Sequence, residues 1–257
     1  MNQTEKRLYL IRQLLNKEAE YRNLEIPVDD MEQRRLLRSL MNIRMPGPVN
    51  NEFLRIQDEY LQEETRKKGV TKLAELLPVE SGLYLWQGDI TTLACDAIVN
   101  AANSGMTGCY QPCHNCIDNC IHTYAGVQLR NACAEIMEQQ GYEEPTGGAK
   151  ITSGYNLPCR YVIHTVGPIV QGELTAQHEE QLASCYRSCL ALAEKTQCSS
   201  IAFCCISTGV FGFPKKRAAE IAVRSVRDYL SETHSSIEVI FNVFKDENYK
   251  IYRELLG

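Results

Sequence analysis

Ser200-Ile201-Ala202-Phe203-Cys204-Cys205-Ile206-Ser207-Thr208-Gly209-Val210-Phe211-Gly212-Phe213-Pro214 decides the class of fold. The first half is a short apolar run, and it reads as a strand over 200–205 buried on both faces. The second half, 207–214, is a loop of Ser, Thr and Gly. The residues after it, 215–230, carry helical spacing. A buried strand that hands over to such a loop and then to a helix is the repeating unit of an α/β fold. The loop itself suits a diphosphate, because glycines let the main chain approach and successive N–H groups can point at an anion. A tight turn that needs Gly209 and Gly212 explains the same residues equally well.

The same texture extends to both sides. Residues 83–86 and 96–99 read as short strands, the second fully buried, and 149–152 and 161–164 as two more, joined by a turn at Asn156-Leu157-Pro158. Helices are predicted over 116–139, with Gly141 as the stop, and over 176–195. A strand over 237–241 and a short terminal helix follow. Strands alternating with helices predict an α/β fold of three layers, α/β/α, around a mixed sheet. Ligands bind such folds in loops at the carboxyl ends of strands, and 100–103 and 207–214 are both loops of that kind. Upstream of about residue 75 the chain is charged and poor in Gly. There Leu8, Ile11, Leu14 and Leu15 share one helical face, as do Leu36, Leu37, Leu40 and Met41. Pro46-Gly47-Pro48 breaks the pattern, and Asn50-Asn51 can cap a third helix through about Lys68. The expected organisation is an N-terminal helical extension over 1–75 and the α/β domain over 76–257. The extension would pack on the domain as a cap; a partner-docking surface is the alternative.

Composition narrows the function. The chain has 257 residues, 44 % of them apolar and 23 % charged, as an ordinary globular protein does. Its N-terminus lacks the apolar run of a signal peptide, and no apolar run is long enough to span a bilayer. The twelve cysteines are therefore expected to be free thiols in a cytoplasmic protein rather than disulfides. A net charge of −5 argues against a nucleic-acid partner, so an anionic ligand would be held by backbone N–H groups and helix N-termini. Between Gly108 and His122, however, GCYQPCHNCIDNCIH holds four cysteines and two histidines. Thiolate and neutral imidazole are zinc ligands, and Asn100-Ala101-Ala102-Asn103 stands directly before this run. A metal beside a ligand pocket suggests catalysis. The other cysteines, Cys95, Cys185, Cys189, Cys204 and Cys205 among them, read as buried small hydrophobes. His122 and His164 read as hydrogen-bonded structural histidines rather than ligands or acid–base groups.

Taken together, GDIT (88–91), VNAAN (99–103), IDNCIHTYAG (117–126), GGAKITSGYNLPCRYVIHTVGP (147–168) and IAFCCISTGVFGFP (201–214) resemble the macrodomain family of ADP-ribose-binding modules, in family order and at family-like spacing. The resemblance runs from about residue 80 to the end and implies the α/β/α fold. It implies that Asp89 accepts from the adenine amine with Ile90 beside it, and that Asn103 holds the distal ribose. Ile117 and Asp118 would also line the ADP-ribose site. The loop Ser207, Thr208, Gly209, Val210, Phe211 and Gly212 would cradle the diphosphate. Phe244 would pack near the adenine, or else simply fill the core at a strand end. The loop after Asn103 departs from the ordinary hydrolase-type pattern, where a glycine run leads to the aspartate. It is similar instead to a zinc-dependent branch found in some bacteria and fungi, whose loop reads Gly-Cys-x-x-Pro-x-His-x-Cys. That branch implies Cys109, His114 and Cys116 as ligands of one Zn²⁺. Three ligands leave a position open, as catalytic sites do, and two thiolates balance the +2 charge. Cys113 would close the site if it bound too, but adjacent residues tend to point apart.

The resemblance thus implies a zinc-dependent protein mono-ADP-ribosylhydrolase with Asn103 and Asp118 catalytic, Asp118 orienting water or acting as base. An N-cap or first-turn acid is the plainer role for Asp118. Expected partners are ADP-ribose and a mono-ADP-ribosylated protein. Bacterial relatives of this branch are commonly encoded beside a sirtuin-type ADP-ribosyltransferase and a lipoylated carrier like glycine-cleavage H protein, which suggests that carrier as substrate. Two other classes compete: a non-catalytic ADP-ribose reader with a structural zinc, and a zinc-stabilised, thiol-rich redox sensor.

Overall fold

The computed structural model describes residues 1–17 and 20–257. Three helices come first: α1 (Gln3–Lys17), α2 (Asp30–Ile43) and α3 (Asn51–Lys68). The Asn50 cap of α3 is the one the sequence announces; Asp29 caps α2 as well. Asn50 Oδ1 accepts from Phe53 N–H at 2.7 Å, and Asp29 Oδ1 accepts from Glu32 N–H at 2.9 Å, each satisfying an otherwise orphaned donor. The apolar faces bury Leu10, Ile11, Leu14 and Leu15 against Leu37, Leu40, Met41 and Ile56, forming an apolar cluster of their own. Arg7, 1 % exposed, is held inside it by Gln33 and Asp30.

The rest of the chain alternates as expected. The strands are β1 (Thr71–Lys72), β2 (Pro78–Glu80), β3 (Leu83–Gln87), β4 (Leu93–Ala94), β5 (Ala97–Ala102), β6 (Ala149–Ser153), β7 (Tyr161–Val166), β8 (Ser200–Phe203) and β9 (Glu238–Val243). The helices are α4 (Ile117–Ala125), α5 (Val127–Gln140), α6 (Ala176–Lys195), α7 (Lys215–Thr233) and α8 (Asp246–Leu256). Seven strands form one sheet in the order β2-β3-β9-β8-β5-β7-β6, with β2 and β6 antiparallel to their neighbours and the rest parallel. β1 and β4 make a separate two-stranded pair that the sequence reading did not foresee. The connection from β5 to β7 runs one way along the sheet, and those from β7 to β8 and from β8 to β9 run the other. With right-handed crossovers, α4 and α5 therefore cover one face while α6 and α7 cover the opposite one. This is the mixed-sheet α/β/α architecture, with β5 and β8 at its centre and their residues almost wholly buried. Among the described residues no helix is long and apolar enough to cross a membrane.

One expected element is divided. The helix predicted over 116–139 is two helices, broken at Gly126, whose φ of +96° a side-chain-bearing residue rarely adopts. A Cβ there would lie 2.6 Å from Gln57 Nε2 on α3. Gln57 Oε1 accepts from Val127 N–H at 3.0 Å and so caps the first turn of α5. Val127 itself packs into the apolar cluster of α1–α3. The break is thus the seam where the N-terminal helices are built into the α/β part.

Candidate active site

The carboxyl end of β5 delivers two asparagines to one carboxylate. Asn100 Nδ2 donates to Asp118 Oδ1 at 2.8 Å, and Asn103 Nδ2 donates to Asp118 Oδ2 at 3.3 Å. Asp118 lies in the first turn of α4, where the helix dipole favours a negative charge. It is 5 % exposed, and burial pushes its carboxyl up to about 6 against the opposing pull of Asn100, Arg130 and Asn103. At neutral pH it is still mostly ionised, and it differs from a simple cap: the N-cap of α4 is Cys116, whose sulfur accepts from Asn119 N–H at 3.4 Å. Asn103 Oδ1 accepts from Gly105 N–H at 3.0 Å, which fixes the amide's orientation.

The loop between β5 and α4 brings Cys109, His114 and Cys116 together, their ligand atoms all within 4.8 Å of one another. Cys109 Sγ lies 3.6 Å from His114 Nδ1. Tetrahedral zinc with ordinary bond lengths places sulfur and nitrogen ligands about 3.5–3.8 Å apart, so this pair stands at the spacing an ion would impose. Burial, opposed by Asn119 N–H and reinforced by the neighbouring Cys109, pushes the Cys116 thiol up to about 12 when no cation is present. A divalent ion reverses that preference by drawing off the proton. Cys113 does not join them. Its backbone is left-handed, with φ +54°, and its sulfur faces α2, 3.2 Å from Ser39 Oγ and 3.4 Å from the Arg35 carbonyl oxygen. Gly108 permits the loop's turn at φ +87° and lies so close to His122 that a Cβ would meet its ring at 2.8 Å.

His122, Cys133 and His164 form a second, fully buried group that could hold a metal ion. Its chemistry is less favourable. His164 Nε2 is 2.9 Å from Thr152 Oγ1 and its Nδ1 is 3.1 Å from Asn100 Nδ2, so both nitrogens already have partners. Burial pulls His164 down to about 3 and pushes the Cys133 thiol up to about 12. His122 stands 3.5 Å from Asp118, yet burial, His164 and Arg130 hold it well below the usual histidine range, so it is neutral and the contact is no ion pair.

Beside these groups the loop 207–212 has the features of an anion cradle. Among the described residues none accepts from the N–H groups of Gly209, Val210 or Phe211, and the buried Ser207 Oγ has no partner. Ser207 is left-handed at φ +63° and Gly212 at φ +72°, and the turn is closed by Phe213 N–H donating to Ser207 O at 3.0 Å. Thr208 Oγ1 donates to the Cys205 carbonyl oxygen at 2.9 Å. Asp89 Oδ1 accepts from Thr91 N–H and Oγ1 at 3.0 and 2.6 Å, and Lys68 lies 3.2 Å from Oδ2. Burial raises the Asp89 pKa, but Thr91 and Lys68 outweigh it and hold the carboxyl below the ordinary aspartate value. Ile90, 2 % exposed, is a core residue and offers a ligand little beyond its main chain, whereas Ile117 is half-buried at the start of α4. Phe244, just past β9, is 74 % exposed, which removes the core-filling alternative.

The chain has relatives of known family. The Macro domain family model matches residues 99–222. A protein-ADP-ribose hydrolase of Treponema medium is 57 % identical over 261 residues, covering 100 % of both chains. The chain belongs to the Macro domain family. A second relative, a protein-ADP-ribose hydrolase of Staphylococcus aureus strain MRSA252, is 50 % identical over 248 residues, 96 % of this chain and 93 % of its own. The crystal structure of a Trypanosoma brucei macrodomain in complex with ADP-ribose superposes with a TM-score of 0.66 at 32 % identity, covering 86 % of this chain and 95 % of that one. Within this macrodomain, sequence reasoning overlooked Asn100 as a partner of Asp118. The strand expected over 96–99 runs on to Ala102, so Asn100, read as the start of a loop, lies buried inside β5, where a polar side chain is costly unless it has a bond to make.

Proposed function

We propose that this macrodomain is a zinc-dependent protein-ADP-ribose hydrolase that removes single ADP-ribose units from modified protein side chains. The observation that carries the reading is the placement of the Asn103–Asp118 pair beside the cluster of Cys109, His114 and Cys116. In this reading Asp89 accepts from the adenine amine with Ile90 alongside, and Phe244 stacks on the base. The N–H groups and hydroxyl of 207–212 bind the diphosphate, and Ile117 lines the distal ribose. Asn103 orients that ribose, and Asp118 takes a proton from the attacking water. The bond between C1″ and the acceptor oxygen breaks as the water oxygen joins C1″, and the acceptor leaves with a proton. Cys109, His114 and Cys116 would hold Zn²⁺, which supplies Lewis acidity for the oxygens around the anomeric carbon. The substrate that the resemblance suggests is a lipoylated carrier protein, modified by a sirtuin-type transferase. The extension over 1–75 and the macrodomain over 76–257 are taken as the functional division.

Two outcomes test the parts. Cys109→Ala should abolish zinc retention and Cys113→Ala should preserve it, measured by metal analysis of the purified variants. Equal loss in both would mean a closed structural site. Phe244→Ala should weaken ADP-ribose binding by about 1–3 kcal/mol, the usual worth of a base–aromatic stack, and leave the melting temperature unchanged because the ring is exposed. Calorimetry that finds full affinity would remove the stack. The whole reading is tested by turnover of a mono-ADP-ribosylated protein. Binding of ADP-ribose without turnover would make the protein a reader.

A further inference from the structure

Between Ala102 and Ile117 the chain forms neither helix nor strand, so the Cys109–His114–Cys116 loop has no ladder of its own to hold its shape. It also contains a non-glycine residue in a left-handed conformation, Cys113, which costs about 1–2 kcal/mol and must be stabilised by contacts. Those contacts come from α2. Arg38 Nη2 donates to the His114 carbonyl oxygen at 2.7 Å and to Asn119 Oδ1 at 3.0 Å. Asn119 Nδ2 in turn donates to the carbonyl oxygens of Cys109 and Gln111 at 3.3 and 2.9 Å. Arg38 therefore reaches one end of the loop directly and the other through Asn119. Asn42 Oδ1 accepts from Cys113 N–H at 2.9 Å, at the strained residue itself, and its Nδ2 donates to Thr123 Oγ1 at 2.9 Å. Arg130 Nη1 gathers the carbonyl oxygens of Asn42 and Arg44 at the end of α2, both at 2.6 Å, and so fixes that helix to α5.

Arg38 differs from Arg7 and Arg34. Arg7 and Arg34 pair with the carboxylates Asp30 and Glu64, whereas Arg38 makes no ion pair among the described residues and spends its Nη2 on the loop.

We propose that Arg38 and Asn42 are positioning residues for the metal, and that the N-terminal extension serves the site by holding the three ligand-bearing residues in register. The proposal rests on the reading of Cys109, His114 and Cys116 as zinc ligands. Outer partners of this kind typically change metal affinity by about 10–100-fold.

The test uses the full chain, with zinc affinity from chelator competition and the thiolate-to-metal absorption of the cobalt-substituted protein. Arg38→Ala and Asn42→Ala should each raise the zinc dissociation constant about tenfold or more and alter the cobalt spectrum, with ADP-ribose affinity kept within about twofold. Arg38→Lys, which keeps the charge and loses the fork, should recover part of the affinity. Arg7→Met, which damages the extension's interior without touching the loop, should lower the melting temperature and leave zinc affinity unchanged. Should Arg38→Ala fail to fold, Arg38→Lys and Asn42→Ser carry the comparison. Folded variants that bind zinc like the parent overturn the proposal alone, as does an equal zinc loss in Arg7→Met. A parent protein that binds no zinc overturns the ligand reading and the proposal with it.

Discussion

Metal-free protein is expected to hydrolyse a mono-ADP-ribosylated protein at least about a hundredfold more slowly than the zinc-loaded form, while ADP-ribose affinity falls by less than about threefold. A hundredfold corresponds to about 2.7 kcal/mol of barrier, within the several kcal/mol that a Lewis acid contributes to a charged transition state. The groups assigned to the ligand, Asp89, the free N–H groups of 207–212 and the exposed Phe244, contribute no atom to the Cys109–His114–Cys116 cluster. Binding and turnover should therefore respond separately to the metal. The comparison is made on one preparation, stripped and then reloaded, with calorimetry and a gel or mass-spectrometric assay run in parallel. Full turnover by the stripped protein would reduce the zinc to scaffolding. Parallel loss of affinity and rate would place the ion in ligand binding instead.

Asn103→Ala and Asp118→Ala should each remove most of the remaining chemistry. Loss of a positioned base typically costs about a hundred- to ten-thousandfold, and a misplaced ribose about a hundredfold. The two changes differ in their structural cost. Asp118 accepts from both Asn100 and Asn103, so its removal leaves buried Asn100 Nδ2 short of an acceptor, a penalty of about 1–3 kcal/mol. Asn103→Ala removes one of the two amide donors to Asp118 and the acceptor of the half-buried Gly105 N–H, but leaves the Asn100–Asp118 bond in place. Asp118→Ala is thus expected to lower the melting temperature more than Asn103→Ala does, while both lower the rate. Circular dichroism melts beside single-turnover assays would separate these effects. An Asn103→Ala enzyme with parental turnover would remove the asparagine from the mechanism.

Most of the α/β framework was legible because it is written locally. The helix 176–195 and the Asn50 cap appear where the spacing and the capping chemistry put them. The helix break at Gly126 was not legible: the group that caps α5 is Gln57, 70 positions upstream, and only the folded chain brings it there. The pairing of Thr71–Lys72 with Leu93–Ala94 escaped for a similar reason, since two-residue strands carry no periodicity. In the site, the Cys/His spacing announced the cluster, and the resemblance supplied its ligand set. Which way Cys113 turns was decided by Ser39 and Arg35 on another helix, information that no window around Cys113 contains.

The seam at Val127 also has a consequence in time. Helices α1–α3 leave the ribosome well before Val127, yet that residue belongs to their apolar cluster, and the Gln57 amide has its α5 partner only once Val127 exists. At about 5–20 residues per second, roughly sixty further residues take about 3–12 seconds to emerge. During that interval α2 and α3 present an unfinished apolar edge to whatever is nearby. The part of the chain synthesised earlier is in this respect completed later, and a pause in translation between codons 70 and 130 would lengthen the interval in which the nascent chain can be bound by a chaperone or lost to aggregation.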